Sequence, residues 1–469
     1  MNSAVDSQER TSWWSRPCGG REVLLLAVPL FVSTASWTVM NFIDRMFLLW
    51  HSEEAVAAVL PAGMVHFAMI SFPLGIAAYT NTFVAQYYGA GSLRRIGPAV
   101  WQGLHLGLVC VPLYLALIPL APWIFAGHAR LLADQEVLFF RTALFGAGAE
   151  IIAASMAAFF TGRGATWVVM LVDSSAWLLN IVLDYAWIFG HFGLPSLGIQ
   201  GAALATVVAL WWRVAVYSIL LMLPRFRRYN IRRGWRFDPS LFWRLLRYGG
   251  PSGLQMLVEV AGFTLFLLVV GVLGEDALAA TNLAFNVNCL AFVPMLGLGI
   301  ALSTLVGQQL GRGHPELAAR ATMTALSMAL CYMGTMALIY VLFPGVLLLG
   351  HEWGASPAEF HQLRATTAIL LRFVAAYCLF DALNVIFAGA LKGAGDTRFI
   401  MIVSLLLTPI PVAAAWVGIH FFGLGLIWCW IVITLWICIS GLIYLARYVQ
   451  GRWRQMRVIE PELIHDAAR

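Results

Sequence analysis

The sequence predicts an all-α integral membrane protein of about twelve transmembrane helices, arranged as two pseudo-symmetric six-helix lobes. Three observations predict it: the composition, a succession of long apolar runs, and an internal repeat. Hydrophobic residues make up 61% of the 469 and charged residues 11%, against roughly 45–50% and about 25% in soluble domains. No soluble core hides that much apolar surface, so lipid must be the solvent for most of the chain.

A helix advances about 1.5 Å per residue, so about 20 apolar residues cross the hydrocarbon. Twelve runs reach that length, at 22–49, 55–85, 97–125, 137–160, 166–190, 198–223, 244–273, 277–308, 317–349, 363–391, 398–421 and 423–447. Several exceed a perpendicular crossing, so tilted or bent helices are expected. Pro29, Pro61, Pro73, Pro251 and Pro294 are the expected bend points. Residues 1–20 are polar and the first run is too long for a signal-peptide core, so no cleavable signal is expected.

Arginine placement orients the spans. With a cytoplasmic N-terminus, the inner segments hold Arg94, Arg95, Arg163, the 225–247 cluster, Arg312, Arg320, Lys392, Arg398 and the C-terminal arginines. The outer segments hold only Arg130, Arg141 and Arg364, beside Glu53, Glu54, Glu275, Asp276, Glu352 and Glu359. The positive-inside rule then places both termini in the cytoplasm. The expected division is a tail at 1–21, an N-lobe at 22–223, a basic cytoplasmic linker at 224–243, a C-lobe at 244–447 and a tail at 448–469. The linker is expected to lie on anionic lipid headgroups. The strong preference for arginine, with Lys392 the only lysine, suggests a bacterial chain and hence the inner membrane.

The net charge of +6 is spread over short loops, so no basic face for nucleic acid is expected. Six of the seven cysteines lie within apolar runs, and none forms a C-x-x-C pair. They read as small buried hydrophobes. No H-E-x-x-H, G-x-S-x-G or Walker A pattern occurs, so neither an enzyme nor a resident cofactor is expected.

The repeat names the architecture. A shift of 222 lays Glu53–Gly91 on Glu275–Gly313 without a gap, with thirteen of 39 positions identical, Gln86/Gln308 and Gly89/Gly311 among them. A shift of 231 lays Gly162-Arg-Gly-Ala-Thr on Gly393-Ala-Gly-Asp-Thr. Six spans per half keep both halves in one orientation, related by an axis along the membrane normal, with a substrate route between them.

Carboxylates inside a membrane cost about 2.5–3.5 kcal/mol each on insertion scales, so each needs a reason. The embedded acids are Asp44, Glu150, Asp173, Asp184, Glu259 and Asp381. Under the 231 shift Glu150 falls on Asp381, so the fourth helix of each half carries an acid at one depth. Such acids suit proton exchange or a desolvated sodium ion, or else structural pairing, as of Asp381 with Arg372. Asp173 near its span end, Arg213 and Arg372 fit a structural role. Asn282 and Asn286 are four apart and share a face, so they either line a polar cavity or join helices.

The motifs Asn41-Phe-Ile-Asp44, the two Val-x-Gln-x-x-Gly-x-Gly strings and Ala390-Leu-Lys-Gly-Ala-Gly-Asp-Thr-Arg398 resemble those of the multidrug and toxic compound extrusion family, over residues 20–450. The second half looks most like its NorM-type branch. That resemblance implies a cation site at Glu259 and Asp381 with Tyr377 one turn earlier, a possible sodium site, and coupling roles for Asp44 and, as in DinF-type members, Asp184. Arg45 and the worn Gly-Arg-Gly-Ala-Thr copy depart from the family pattern. Gln255, Asn282, Asn286 and Asn41 are the candidates for the substrate cavity.

The function expected is a sodium- or proton-coupled antiporter that exports amphipathic, cationic organic compounds by alternating access. It is expected to act as a monomer, with small organic molecules and membrane lipid as its partners. The alternatives are a flippase for lipid-linked precursors in the same superfamily, and a membrane-embedded enzyme.

Overall fold

A computed structural model describes residues 12–348 and 357–460. Glu352, the side chain of Glu359 and the far ends of both tails lie outside the described residues. The first lobe comprises α1 (Gly20–His51), α2 (Glu53–Gly89), α3 (Leu93–Leu115), α4 (Arg130–Gly162), α5 (Thr166–Phe189) and α6 (Ile199–Leu221). The second comprises α7 (Pro239–Gly271), α8 (Glu275–Gly311), α9 (Pro315–Leu342), α10 (Pro357–Ala394), α11 (Thr397–Phe422) and α12 (Leu426–Val449).

Helix starts follow the local chemistry. Ser52 caps α2 by accepting from the Ala55 amide at 3.3 Å. Asp238 caps α7, accepting from the Ser240 and Leu241 amides at 3.1 Å each, with Pro239 at the first helical position. Such caps satisfy amides that have no partner within the helix.

Two expected spans differ. The third ends at Leu115 rather than 125, and two short turns, Ile118–Leu120 and Ala121–Ile124, replace its last part. Pro119 and Pro122 supply no amide donors there. The eleventh is two helices, Thr397–Leu407 and Pro409–Phe422, meeting at Thr408. Pro409 cannot donate back to the preceding turn.

The repeat is visible in the packing. In the first lobe α1 packs on α5, α2 on α4, α4 on α3 and α6, and α5 on α6. In the second, α7 packs on α11, α8 on α10, α10 on α9 and α12, and α11 on α12. The lobes meet through α2 with α7, α1 with α8, and α2 with α8, so the interface obeys the same pseudo-twofold. Helices α2 and α8 each run 37 residues and coincide end to end under the 222 shift.

Gly89 and Gly311 show why the repeat preserves glycine. A Cβ on Gly89 would strike the Gln308 carbonyl, and one on Gly311 would strike the Gln86 carbonyl. Only bare backbone permits so close a crossing. Around it, all hydrogen bonds between the lobes among the described residues lie toward the arginine-rich end. Asn81 donates to Thr304 at 3.0 Å, Gln86 to the Gly393 carbonyl at 3.0 Å and Gln308 to the Gly162 carbonyl at 2.8 Å.

The linker and the C-terminal tail do more than connect. Phe226, Tyr229 and Ile231 of the linker are buried, and the Trp101 indole donates to the Ile231 carbonyl at 2.7 Å. Arg163 sits 4.1, 4.8 and 4.6 Å from the ring centres of Phe159, Phe226 and Tyr229. Part of the basic segment thus folds onto the first lobe. Beyond α12, Trp453 stacks on Tyr448, and Val458 and Ile459 are buried.

Candidate functional site

A cavity of about 810 Å³ lies between the lobes, lined by α1, α2, α4 and α5 on one side and α7, α8, α10, α11 and α12 on the other. That volume suits a drug-sized ligand. Its walls are mainly apolar, with Phe263, Phe285, Phe292 and Trp436 among the larger side chains. The polar groups come chiefly from the second lobe.

Helical spacing assembles them. Ser252, Gln255 and Glu259 recur at three and four residues along α7, and Tyr377, Asp381, Asn384, Ala388 and Lys392 do so along α10. Residues so spaced share a face, and both faces line the cavity. Glu259 Oε1 accepts from Gln255 Nε2 at 2.7 Å and from Ser404 Oγ at 2.9 Å. Asp381 is 7% exposed and Tyr377, one turn earlier, 2%. No ion pair joins Asp381 to Arg372 among the described residues. The structure therefore places Glu259 with Gln255, and Asp381 with Tyr377, on the wall of one cavity.

The first-lobe acids are arranged otherwise. Asp44 on α1 and Asp184 on α5 sit on two helices packed together, within electrostatic reach of each other and away from the central cavity walls. One oxygen of each carboxyl group is buried with no hydrogen-bond partner among the described residues. Asn180, with its amide oriented to satisfy both neighbours, donates to Asp184 Oδ2 at 3.0 Å and accepts from the Thr206 amide at 3.1 Å. Glu150, although it matches Asp381 in the repeat, does not line the cavity and lies within electrostatic reach of Arg213. Equal depth has not given equal surroundings.

Asp173 does line the cavity, but its carboxylate is engaged. It takes Arg213 at 3.0 Å, Tyr217 at 3.1 Å and Ser33 at 2.5 Å. This is an ion pair with its remaining acceptor capacity satisfied.

Three asparagine expectations are corrected. Asn41 donates to the Trp37 carbonyl of its own helix at 2.9 Å, and neither it, Asn282 nor Asn286 lines the cavity. Asn282 stands one turn before Phe285, the first α8 residue on the wall, about 4.5 Å along the helix, and Asn286 lies between the wall residues Phe285 and Asn288 without being on the wall itself. Asn288 lines the wall instead. A shared face identified the helix but not the residues on it that meet the cavity.

Lys392 is also corrected. Its place in the sequence suggested an inner-surface charge, yet its side chain lines the cavity at the end of α10. Its carbonyl accepts from the Tyr79 hydroxyl at 3.0 Å across the lobe boundary. The signal available was its isolation: one lysine in a chain whose other 28 basic residues are arginine.

Two repeated six-helix lobes around a shared cavity between them are the architecture of a membrane transporter. The comparisons narrow the class. The MatE family model matches residues 29–186 and 251–417, one block in each lobe. The chain is 31% identical to a probable multidrug resistance protein NorM of Bradyrhizobium diazoefficiens, covering 87% of this chain and 89% of that one. It is 30% identical to multidrug resistance protein PmpM of Pseudomonas aeruginosa, covering 82% and 80%. In structure it resembles an outward-facing multidrug resistance MATE family transporter of the MOP superfamily, with a TM-score of 0.84 at 20% identity, covering 93% of this chain and 97% of that one. The chain belongs to the MatE family of multidrug efflux transporters.

Proposed function

We propose that this protein exports amphipathic, cationic organic compounds in exchange for a cation, a proton or sodium, acting as a monomer. The observation that carries the reading is the placement of Glu259 and Asp381, from different helices, on the wall of one cavity between the lobes. A carboxylate there can hold the coupling cation or an organic cation, and competition between them yields antiport. Moving one charge down about 100 mV is worth about 2.3 kcal/mol, close to fiftyfold in concentration. Closure of the lobes toward the arginine-rich end supports alternating access, with each rocking step exchanging one closed end for the other. We place the protein in the bacterial inner membrane with that end cytoplasmic, on the positive-inside rule.

The test is ethidium accumulation in a pump-deficient strain. Glu259→Gln and Asp381→Asn should each abolish efflux at normal expression. Undiminished efflux in both variants would refute the assignment. Transport by proteoliposomes under separately imposed sodium and pH gradients identifies the coupling cation.

A further inference from the structure

Lys392 is a cation inside a cavity whose proposed cargo is cationic, and the export reading leaves it without a task. Its surroundings are specific. Tyr79 holds its carbonyl, so the residue is fixed at the lobe boundary. Its ammonium makes no ion pair and no hydrogen bond among the described residues, although Glu259 and Asp381 line the same cavity. Glu259 lies within electrostatic reach, but the two hydrogen bonds it receives, from Gln255 and Ser404, both land on Oε1. Its Oε2 receives none among the described residues. Asp173, the other acid on the wall, is taken by Arg213, Tyr217 and Ser33. The cavity thus presents one ammonium without a fixed counter-ion and, apart from it, two carboxyl groups.

A lone ammonium against apolar walls is costly unless water or an anion answers it. A ligand with a carboxylate at one end and an amine at the other answers both poles, and its apolar body suits the aromatic walls. We propose that Lys392 is a specificity-determining residue that binds the carboxylate of zwitterionic, amine-bearing organic substrates, whose ammonium end is taken by Glu259 or Asp381. This rests on the export reading and deepens it by naming the residue that distinguishes zwitterions from simple organic cations in that cavity. A lysine serving only as a fixed partner of Glu259 would close into an ion pair, and this one does not.

The test compares two ligands that differ only at the acid. Norfloxacin and its methyl ester share ring and amine. Their binding to the purified full-length protein in nanodiscs is followed by quenching of tryptophan fluorescence, Trp436 being on the cavity wall. A charge-assisted hydrogen bond implies that the wild type holds the acid about tenfold tighter than the ester or better. Lys392→Gln should bring that ratio close to one by weakening the acid relative to the ester, while cationic ethidium, relieved of a like charge on the wall, binds more tightly, and Lys392→Arg should retain the preference. The proposal is overturned if the wild type shows no preference, or if Lys392→Gln weakens acid, ester and ethidium alike. Ethidium efflux by the wild type in cells separates the two readings. Its absence beside an intact acid preference would count against export and leave the role of Lys392 standing.

Discussion

Gln308 donates from Nε2 to the Gly162 carbonyl at 2.8 Å across the lobe boundary, and the repeat-related Gln86 does the same to Gly393 at 3.0 Å. Each buried amide satisfies a carbonyl near the end of the opposite lobe's fourth helix. A polar group left unpaired in such a place costs about 1–3 kcal/mol. Replacing both glutamines by leucine is expected to weaken closure at the arginine-rich end without preventing folding. Spin labels at Arg94 and Arg312, one in each lobe, should report a longer and broader distance distribution in the double variant. An unchanged distribution would remove the glutamines from the gate.

Glu460 reinforces the same closure from the C-terminal tail. Tyr87 of the first lobe donates to its Oε2 at 2.8 Å, Arg95 stands 3.7 Å away, and Arg244 of the second lobe pairs with it at 2.5 Å. Two residues earlier, the Val458 amide donates to Gln86 Oε1 at 2.8 Å. Partly exposed ion pairs are worth about 0–1 kcal/mol each, so Glu460→Gln alone should shift the lobe equilibrium only severalfold. Truncation after Gln455 also removes the buried Val458 and Ile459 and should shift it further. The Arg94–Arg312 distance checks both, and a truncated protein with the wild-type distribution would show the tail to be passive.

Much of this was legible in the sequence, and the reasons differ by feature. The twelve spans follow from hydrophobic length, and the two lobes from glycine and glutamine positions that a chance apolar match would not keep together. Glu259 and Asp381 stand out in the sequence because a charge in a membrane span contrasts with its neighbours, whereas Tyr377 is singled out only by the family resemblance. Asn282 and Asn286 were misplaced because a four-residue spacing shows that two side chains share a face but not which face meets the cavity, and on α8 it is Phe285, Asn288 and Phe292 that do so. Lys392 was assigned to a surface because its motif lies at a span end, and only packing shows which way a long flexible side chain turns. The tail around Val458 carries no periodic signal. Its burial depends on a groove in which its partner Gln86 lies 372 residues earlier in the chain.

Asp44 and Asp184 give a prediction about the first lobe. Two carboxyls can hydrogen-bond to each other only if a proton is held between them, because two ionised groups repel. An Asp184→Asn variant supplies a permanent donor in nearly the same volume. The wild type is expected to show a pH-dependent step in tryptophan fluorescence, and the variant should fold with near-wild-type thermal stability yet lose that step. Retention of that step in both Asp184→Asn and Asp44→Asn would show that the pair does not bind the proton responsible.

Asp173 and Arg213 supply the contrasting case, an embedded acid whose role is structural. The pair is 3.0 Å apart with both side chains largely buried, and Ser33 and Tyr217 complete the carboxylate's partners. Removing one member leaves the other as an uncompensated charge, which costs about 3–5 kcal/mol in buried settings. Asp173→Leu should therefore lower the unfolding temperature in detergent markedly. The double variant Asp173→Leu with Arg213→Met replaces the pair by apolar groups of similar size, and should recover most of the loss. It should also retain ethidium efflux, which no single change at Glu259 or Asp381 is expected to do. If the double variant is as stable as the wild type but transports nothing, Asp173 belongs with the coupling acids after all, because lost packing could not then explain the lost activity.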